Sequence, residues 1–256
     1  MNPVVVSSYQ PAFVALSFLI AMIGSFVALT AATRIRHRNG RLSLSNTLAA
    51  GLALGGIGVW AMHFIGMLAL KLDVASSYSV LETAVSLVAA VGAASLALGF
   101  VAKAPDKLPR LLGAGFLLGM GVVFMHYLGM FGMKFGGFIR WDLAVVGLSA
   151  LILVVAATAA LWLALNTPTL ARRVLAAAVM AVAVCAMHYT GMAAAEFVCT
   201  TANRTAVPQG AGYISSITLP TMVTIAALAM ALLISMDQLF QRAAVGSVKP
   251  SPGARR

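Results

Sequence analysis

Three of the four histidines in this chain lie in one repeated phrase. It reads Met62-His63-Phe64-Ile65-Gly66-Met67, then Met125-His126-Tyr127-Leu128-Gly129-Met130, then Met187-His188-Tyr189-Thr190-Gly191-Met192. The histidines are 63 and 62 residues apart, a spacing that marks an internal repeat. Imidazole nitrogen and thioether sulfur together suit a soft or borderline ion, copper above all. The scarcity of carboxylate and thiolate makes zinc, magnesium and calcium poorer fits. On a helix His63 shares a face with Met67, His126 with Met130 and His188 with Met192, which makes these methionines the first thioether candidates. Met62, Met125 and Met187 lie about 100° around the helix and are placed to reach a neighbour. Cys185, three residues before His188, is a candidate extra soft ligand in one copy. Tyr127 and Tyr189 are candidates to hydrogen-bond a ligand or to fix a histidine tautomer from behind. Phe64 has no hydroxyl for either task, so the first copy is chemically unequal to the others.

Each residue type also has a packing explanation. Methionine fills irregular apolar cores, Cys185 can be a small buried apolar residue, and Gly66, Gly129 and Gly191 allow close helix approach. Three imidazoles inside apolar stretches are harder to account for by packing, because burying them without partners is costly. His37, among loop arginines, reads as a solvated loop residue.

The elements that must position these groups are membrane helices. Of 256 residues 61% are hydrophobic and only 9% charged, which excludes an ordinary soluble domain. Seven apolar runs reach the roughly 20 residues needed to cross a bilayer. They fall at about 11–33, 45–70, 80–102, 111–133, 142–165, 171–195 and 214–236, with a motif in the second, fourth and sixth. The predicted fold is therefore all-α and polytopic: three tandem two-helix units plus a closing helix. A short N-terminal segment, 1–10, precedes the membrane domain at 11–236. A basic, disordered tail is expected over 237–256. Residues 1–10 lack a basic n-region and a small-residue cleavage site, so no removable signal peptide is expected. Cys185 and Cys199 form no disulfide framework.

The net charge of +11 raises the question of nucleic acid, but the basic residues sit in short loops, where the positive-inside rule explains them. With Arg34, Arg36, Arg38 and Arg41 in the cytoplasm, thirteen Lys and Arg fall inside. Only Lys71, Lys134, Arg140 and Arg204 fall outside. The N-terminus is thus expected outside, the C-terminus inside, and all three motif helices run outward. Same-direction units imply a repeat about an axis along the membrane normal. Eight residues after the three histidines come Lys71, Lys134 and Glu196, so each imidazole is expected about 12 Å below the outer boundary. Gly51 with Gly55, and Gly115 with Gly119, form Gly-xxx-Gly pairs that would bring helices close.

At the motif itself the sequence resembles the MHYT-domain proteins of bacterial signalling. Met187-His188-Tyr189-Thr190 carries the family pattern in full; the second copy has Leu128, and the first Phe64 and Ile65. The resemblance spans about 11–236. It implies an integral sensor of the inner membrane whose Met and His residues bind copper and, through it, sense oxygen, carbon monoxide or nitric oxide. In many members a cytoplasmic output domain follows. Here only about twenty residues follow Met236, too few for a catalytic domain, so any signal is expected to pass to a separate cytoplasmic partner.

No enzymatic activity is expected, since no intramembrane acid/base pair or nucleophile constellation is visible. A copper transporter or chaperone would need ligands at several depths, yet Met22, Met222 and Met230 have no His or Cys beside them. A haem protein with two axial histidines is a further alternative. A retinal protein is disfavoured, because the last helix has no lysine for a Schiff base.

Overall fold

A computed structural model describes residues 4–37, 39–165 and 169–247. Among these described residues seven helices are long and apolar enough to span a membrane: α1 (Pro11–Ala32), α2 (Leu44–Ala69), α3 (Val80–Ala102), α4 (Leu108–Gly132), α5 (Leu143–Leu165), α6 (Leu170–Ala193) and α7 (Thr218–Ser247). The chain is a multi-pass membrane protein. The three motif helices, α2, α4 and α6, stand inside. Each outer helix wedges between two of them: α1 between α6 and α2, α3 between α2 and α4, α5 between α4 and α6. The three units therefore close into a ring, and α7 packs outside it on α2 and α1. As a result α2 is the most buried span.

Small residues set the closeness of these contacts. A Cβ at Gly51 or Gly55 would run into Ser95 or Ala90 of α3, and one at Gly115 or Gly119 into Thr158 or Val154 of α5. Both Gly-xxx-Gly pairs thus act as expected, each joining a motif helix to the next outer helix. Gly24 of α1 meets Gly58 of α2 in the same way. The stretch around Gly58 is not α-helical: Leu52–Ala61 winds as a π-helix before α geometry resumes at Met62. Neither α4 nor α6 contains such a stretch.

The end of the molecule assigned outside carries short strands that an all-α reading does not anticipate. They are β1 (Ser7–Tyr9), β2 (Leu70–Leu72), β3 (Ser76–Ser79), β4 (Met133–Phe135), β5 (Gly137–Trp141), β6 (Ala195–Cys199) and β7 (Tyr213–Ser215). β1 pairs antiparallel with β2, β3 with β4, and β5 with β6. The strand that opens each unit therefore pairs with the strand that closes it. β7 adds to β3, and Val5 donates its N–H to the Phe197 carbonyl, tying the first unit to the third. Among the described residues, ion pairs on this cap join Lys134 with Glu82 at 3.2 Å, Arg140 with Glu196 at 2.5 Å, and Arg204 with Asp73.

At the opposite end the expected disordered tail needs correction. The last helix does not stop at Met236 but continues to Ser247. Gln238 is buried there and fixes the helix: its side chain donates to Asn46 Oδ1 at 3.1 Å, and its backbone carbonyl accepts from Arg34 at 3.0 Å. Asn46 in turn donates to the α2 cap residue Ser43 at 2.9 Å. Arg38, Asn166–Pro168 and residues 248–256, with Lys249, Arg255 and Arg256, lie outside the described residues.

Candidate metal centre

The three histidines meet. His63 Nδ1 lies 3.2 Å from His188 Nδ1 and 3.2 Å from His126 Nδ1. All three side chains are buried, at 1%, 0% and 0% exposure. Their rings pack edge to face, with centroids 5.0–5.2 Å apart. Among the described residues they form the one cluster of three or more His, Cys, Asp or Glu able to hold a metal ion.

Each ring is held by the motif itself. The residue after each histidine stacks its own ring edge-on: Phe64 on His63 at 4.8 Å, Tyr127 on His126 at 4.9 Å, Tyr189 on His188 at 4.8 Å. The glycine three residues after each histidine receives the imidazole of another unit. A Cβ at Gly129 would sit 2.6 Å from His63 Nε2, one at Gly191 would sit 2.6 Å from His126 Nε2, and one at Gly66 would fall on His188 Nε2. The contacts run in a closed cycle through the three helices. The motif glycines thus do more than let helices approach: they make the space into which the rings turn, and any side chain there would push a ring off the axis.

This arrangement sets imidazole lone pairs against one another at the axis, a repulsion that a cation would relieve. All three Nε2 atoms are buried without a partner. A neutral imidazole carries one proton, so with the protons on Nε2 three lone pairs face one another across the axis. Moving one proton to the centre satisfies one contact and leaves other nitrogens unpaired. Ligands about 2.0–2.1 Å from a tetrahedral or trigonal ion stand roughly 3.3–3.6 Å apart, close to the spacing seen here. The donor set therefore fits a metal. Metal-bound histidines usually donate their second N–H to an acceptor; here glycine and the stacked aromatic orient the rings sterically instead.

The other candidate residues are placed as follows. Met62, Met67, Met125, Met130, Met187 and Met192 are all buried, none above 4% exposure. The tyrosine hydroxyls turn to neighbouring helices: Tyr127 shares a hydrogen bond with Ser149 at 2.7 Å, and Tyr189 with Ser17 at 3.0 Å. It is their rings that touch the imidazoles. Cys185 is not in the histidine cluster; its neighbour is Ser17. Glu196, at the outer end, is engaged by Arg140. Over the site, Tyr9 packs edge-on against Tyr189 at 5.6 Å, and burial together with Tyr189 pushes its phenol up to about 12. Burial likewise raises Tyr78, which packs on Phe64.

Sequence reasoning missed Ser17, Ser86 and Ser149. Each is the seventh residue of its outer helix, fully buried, and donates to the carbonyl three residues earlier at 2.7–2.8 Å. The 63-residue separation of Ser86 and Ser149 equals the first histidine spacing and was the available signal. Ser86 accepts from the Trp60 indole N–H at 3.0 Å. Four residues, about 6 Å, below the histidines, Val59, Val122 and Val184 line an apolar void of about 20 Å³ with Leu54, Leu118 and Met180.

Comparison with known proteins agrees with this construction. The family model described as a bacterial signalling protein N terminal repeat, MHYT, matches residues 1–45, 56–114 and 119–177. The third motif lies beyond the matched segments. The chain is 38% identical, over 90% of its length, to the bifunctional diguanylate cyclase/cyclic di-GMP phosphodiesterase MucR of Pseudomonas aeruginosa. It is 34% identical, over 73% of its length, to the cyclic di-GMP phosphodiesterase NbdA of the same organism. It is also 34% identical, over 70% of its length, to an uncharacterized signaling protein of Caulobacter vibrioides. The aligned region is only 34%, 24% and 22% of those relatives' own lengths. No solved structure matches. With the repeat model covering more than half of it, the chain belongs to the MHYT family of bacterial membrane signalling domains.

Proposed function

We propose that the chain is a membrane sensor module that binds one copper ion on its threefold axis, with His63, His126 and His188 as ligands through Nδ1. The single observation that carries this reading is the convergence of three buried Nδ1 atoms whose Nε2 partners are unpaired. Three imidazoles suit several first-row ions; the surrounding methionines favour copper. Met67, Met130 and Met192, or Met62, Met125 and Met187, are the thioethers available to complete the set. The copper would supply a coordination position for a diatomic ligand: oxygen, carbon monoxide or nitric oxide. The small apolar void beneath the rings, about 20 Å³, is dry by its lining and suited to such a molecule. The protein's own part is to exclude water, hold the rings and couple their position to α2, α4 and α6. Since α7 packs directly on α2, a shift of His63 would reach the cytoplasmic end, where a partner with cyclic-di-GMP chemistry, as in the named relatives, would read it.

A haem is less well accommodated, because a macrocycle would have to enter between rings that are already in edge contact. Transport is also less well supported, since the described residues offer no second cluster of three or more His, Cys, Asp or Glu at another depth.

The test is metal content by mass spectrometry on detergent-purified protein, with an absorption spectrum of the same sample. Near-stoichiometric copper is expected, with most of it lost in each of His63→Ala, His126→Ala and His188→Ala. Copper unchanged in all three variants, or a strong Soret band, would overturn the assignment.

A further inference from the structure

The closing helix leaves an opening in the ring's outer surface. Because α7 packs on α2 and α1, a groove runs between α6 and α7 with α1 as its floor. Its upper part is apolar, lined by Leu19, Met22 and Ile23 of α1, Val174 of α6, and Ala231 and Leu232 of α7. Through Phe26, Val27 and Ser235, which line both parts, it continues into a pocket of about 160 Å³ at the cytoplasmic end. There the lining turns basic, with Arg173 and Arg242.

A third arginine stands close by. Arg34, at the end of α1, is held below its ordinary value first by burial and then by Arg242, with Arg173 adding to the effect and Asp237 opposing it. Asp237 is shared with the side-chain amides of Gln238 and Gln241. Arg34 donates to Gln238, but Arg173 Nε is buried without a partner. Three guanidinium groups and one carboxylate leave an excess of positive charge at the depth of the inner-leaflet headgroups. The apolar part, Leu19 to Val27, is nine residues, a rise of about 12 Å along the helix. That fits within the roughly 15 Å of one leaflet.

We infer that this groove binds one anionic phospholipid of the inner leaflet, its phosphate among Arg173, Arg242 and Arg34 and an acyl chain along α1 between α6 and α7. Basic pockets between membrane helices on the cytoplasmic side have the chemistry for such headgroups, and arginine pairs with phosphate through two parallel hydrogen bonds. A lipid seated there would join the closing helix to the third repeat, which it otherwise barely meets.

The experiment titrates the full chain in detergent with phosphatidylglycerol and counts bound lipid by native mass spectrometry. One tightly retained phosphatidylglycerol is expected on the wild type. The double variant Arg173→Gln/Arg242→Gln is expected to bind it roughly thirtyfold more weakly. Lys103→Gln/Lys107→Gln, which removes equal charge from another cytoplasmic loop, is expected to match the wild type. Ser235→Trp keeps the arginines, obstructs the groove, and is expected to lose the lipid. A melting curve for each variant separates lost binding from lost folding. Equal retention in the two charge variants, or equal retention of phosphatidylcholine, would overturn the inference. Displacement of the lipid by millimolar inorganic phosphate would show a free-anion site instead, and a dimer mass in place of the adduct would show a second copy in the groove.

Discussion

The first repeat and the two that follow place their histidines alike but anchor the surrounding helices differently. In the second and third, the tyrosine after the histidine reaches the serine seven residues into an outer helix, Tyr127 to Ser149 and Tyr189 to Ser17. In the first, Phe64 keeps the ring contact and loses the hydroxyl, and Trp60, one turn earlier, supplies the N–H that reaches Ser86. The residue at Trp60's place is Val123 in the second repeat and Cys185 in the third. The serine has an interhelical partner in every unit, but the residue that provides it changes. The comparison teaches that the ring and the glycine are what the imidazole layer requires, while the polar anchor can be relocated. The first unit is also the one with the π-helical stretch and the one covered by α7.

The glycine substitutions probe what the three units share, and they should have the largest effects. Gly66→Ala, Gly129→Ala and Gly191→Ala are each expected to destabilise by about 1–3 kcal/mol through overpacking against a buried ring, read by thermal unfolding in detergent. Gly66→Ala should be the worst, because its Cβ would approach an imidazole most closely. Gly147→Ala, whose Cβ meets nothing within 4 Å, should be neutral or stabilising. Wild-type stability in all three motif variants would mean that the rings are not locked by this cycle.

A hydroxyl added to the first unit separates it from the others. Phe64→Tyr is expected to cost about 1–3 kcal/mol, since Ser86 is already engaged by Trp60 and Phe64 is fully buried. In a Trp60→Val background the same change should be neutral or favourable. An identical cost in both backgrounds would show that Trp60 does not stand in for the tyrosine.

The smallest effect is a coupling energy. A double-mutant cycle of Tyr127→Phe with Ser149→Ala is expected to give about 0.6 kcal/mol, the scale of interhelical hydrogen bonds in membranes. Ser86→Ala should couple to Trp60→Phe by a similar amount. No coupling in either cycle would remove the serine layer from the account of how the repeats hold together.

Much of this is legible in the sequence. The seven spans, the threefold unit and the common depth of His63, His126 and His188 follow from hydropathy and spacing, because the bilayer fixes helix length and direction. The cap strands were not legible: three to five residues such as Ser7–Tyr9 have no periodicity of their own and are created by the meeting of two distant segments. Neither was the continuation of α7, which depends on Gln238 finding Asn46 and Arg34 across the bundle. Spacing placed the imidazoles in one layer. Which nitrogen faces the axis depends on Gly66, Gly129 and Gly191 of other units, a relation that no single helix displays.

The strand pairing of the cap has a consequence for synthesis. Each unit's opening strand pairs with its own closing strand, so every unit can tie itself off as soon as its last residues leave the ribosome. The imidazole layer, by contrast, draws one member from each unit, and the last, His188, arrives only with the final helix of the third unit. The nascent protein is then a row of finished modules with an unfinished centre, and the insertion of α6 is the event that completes it.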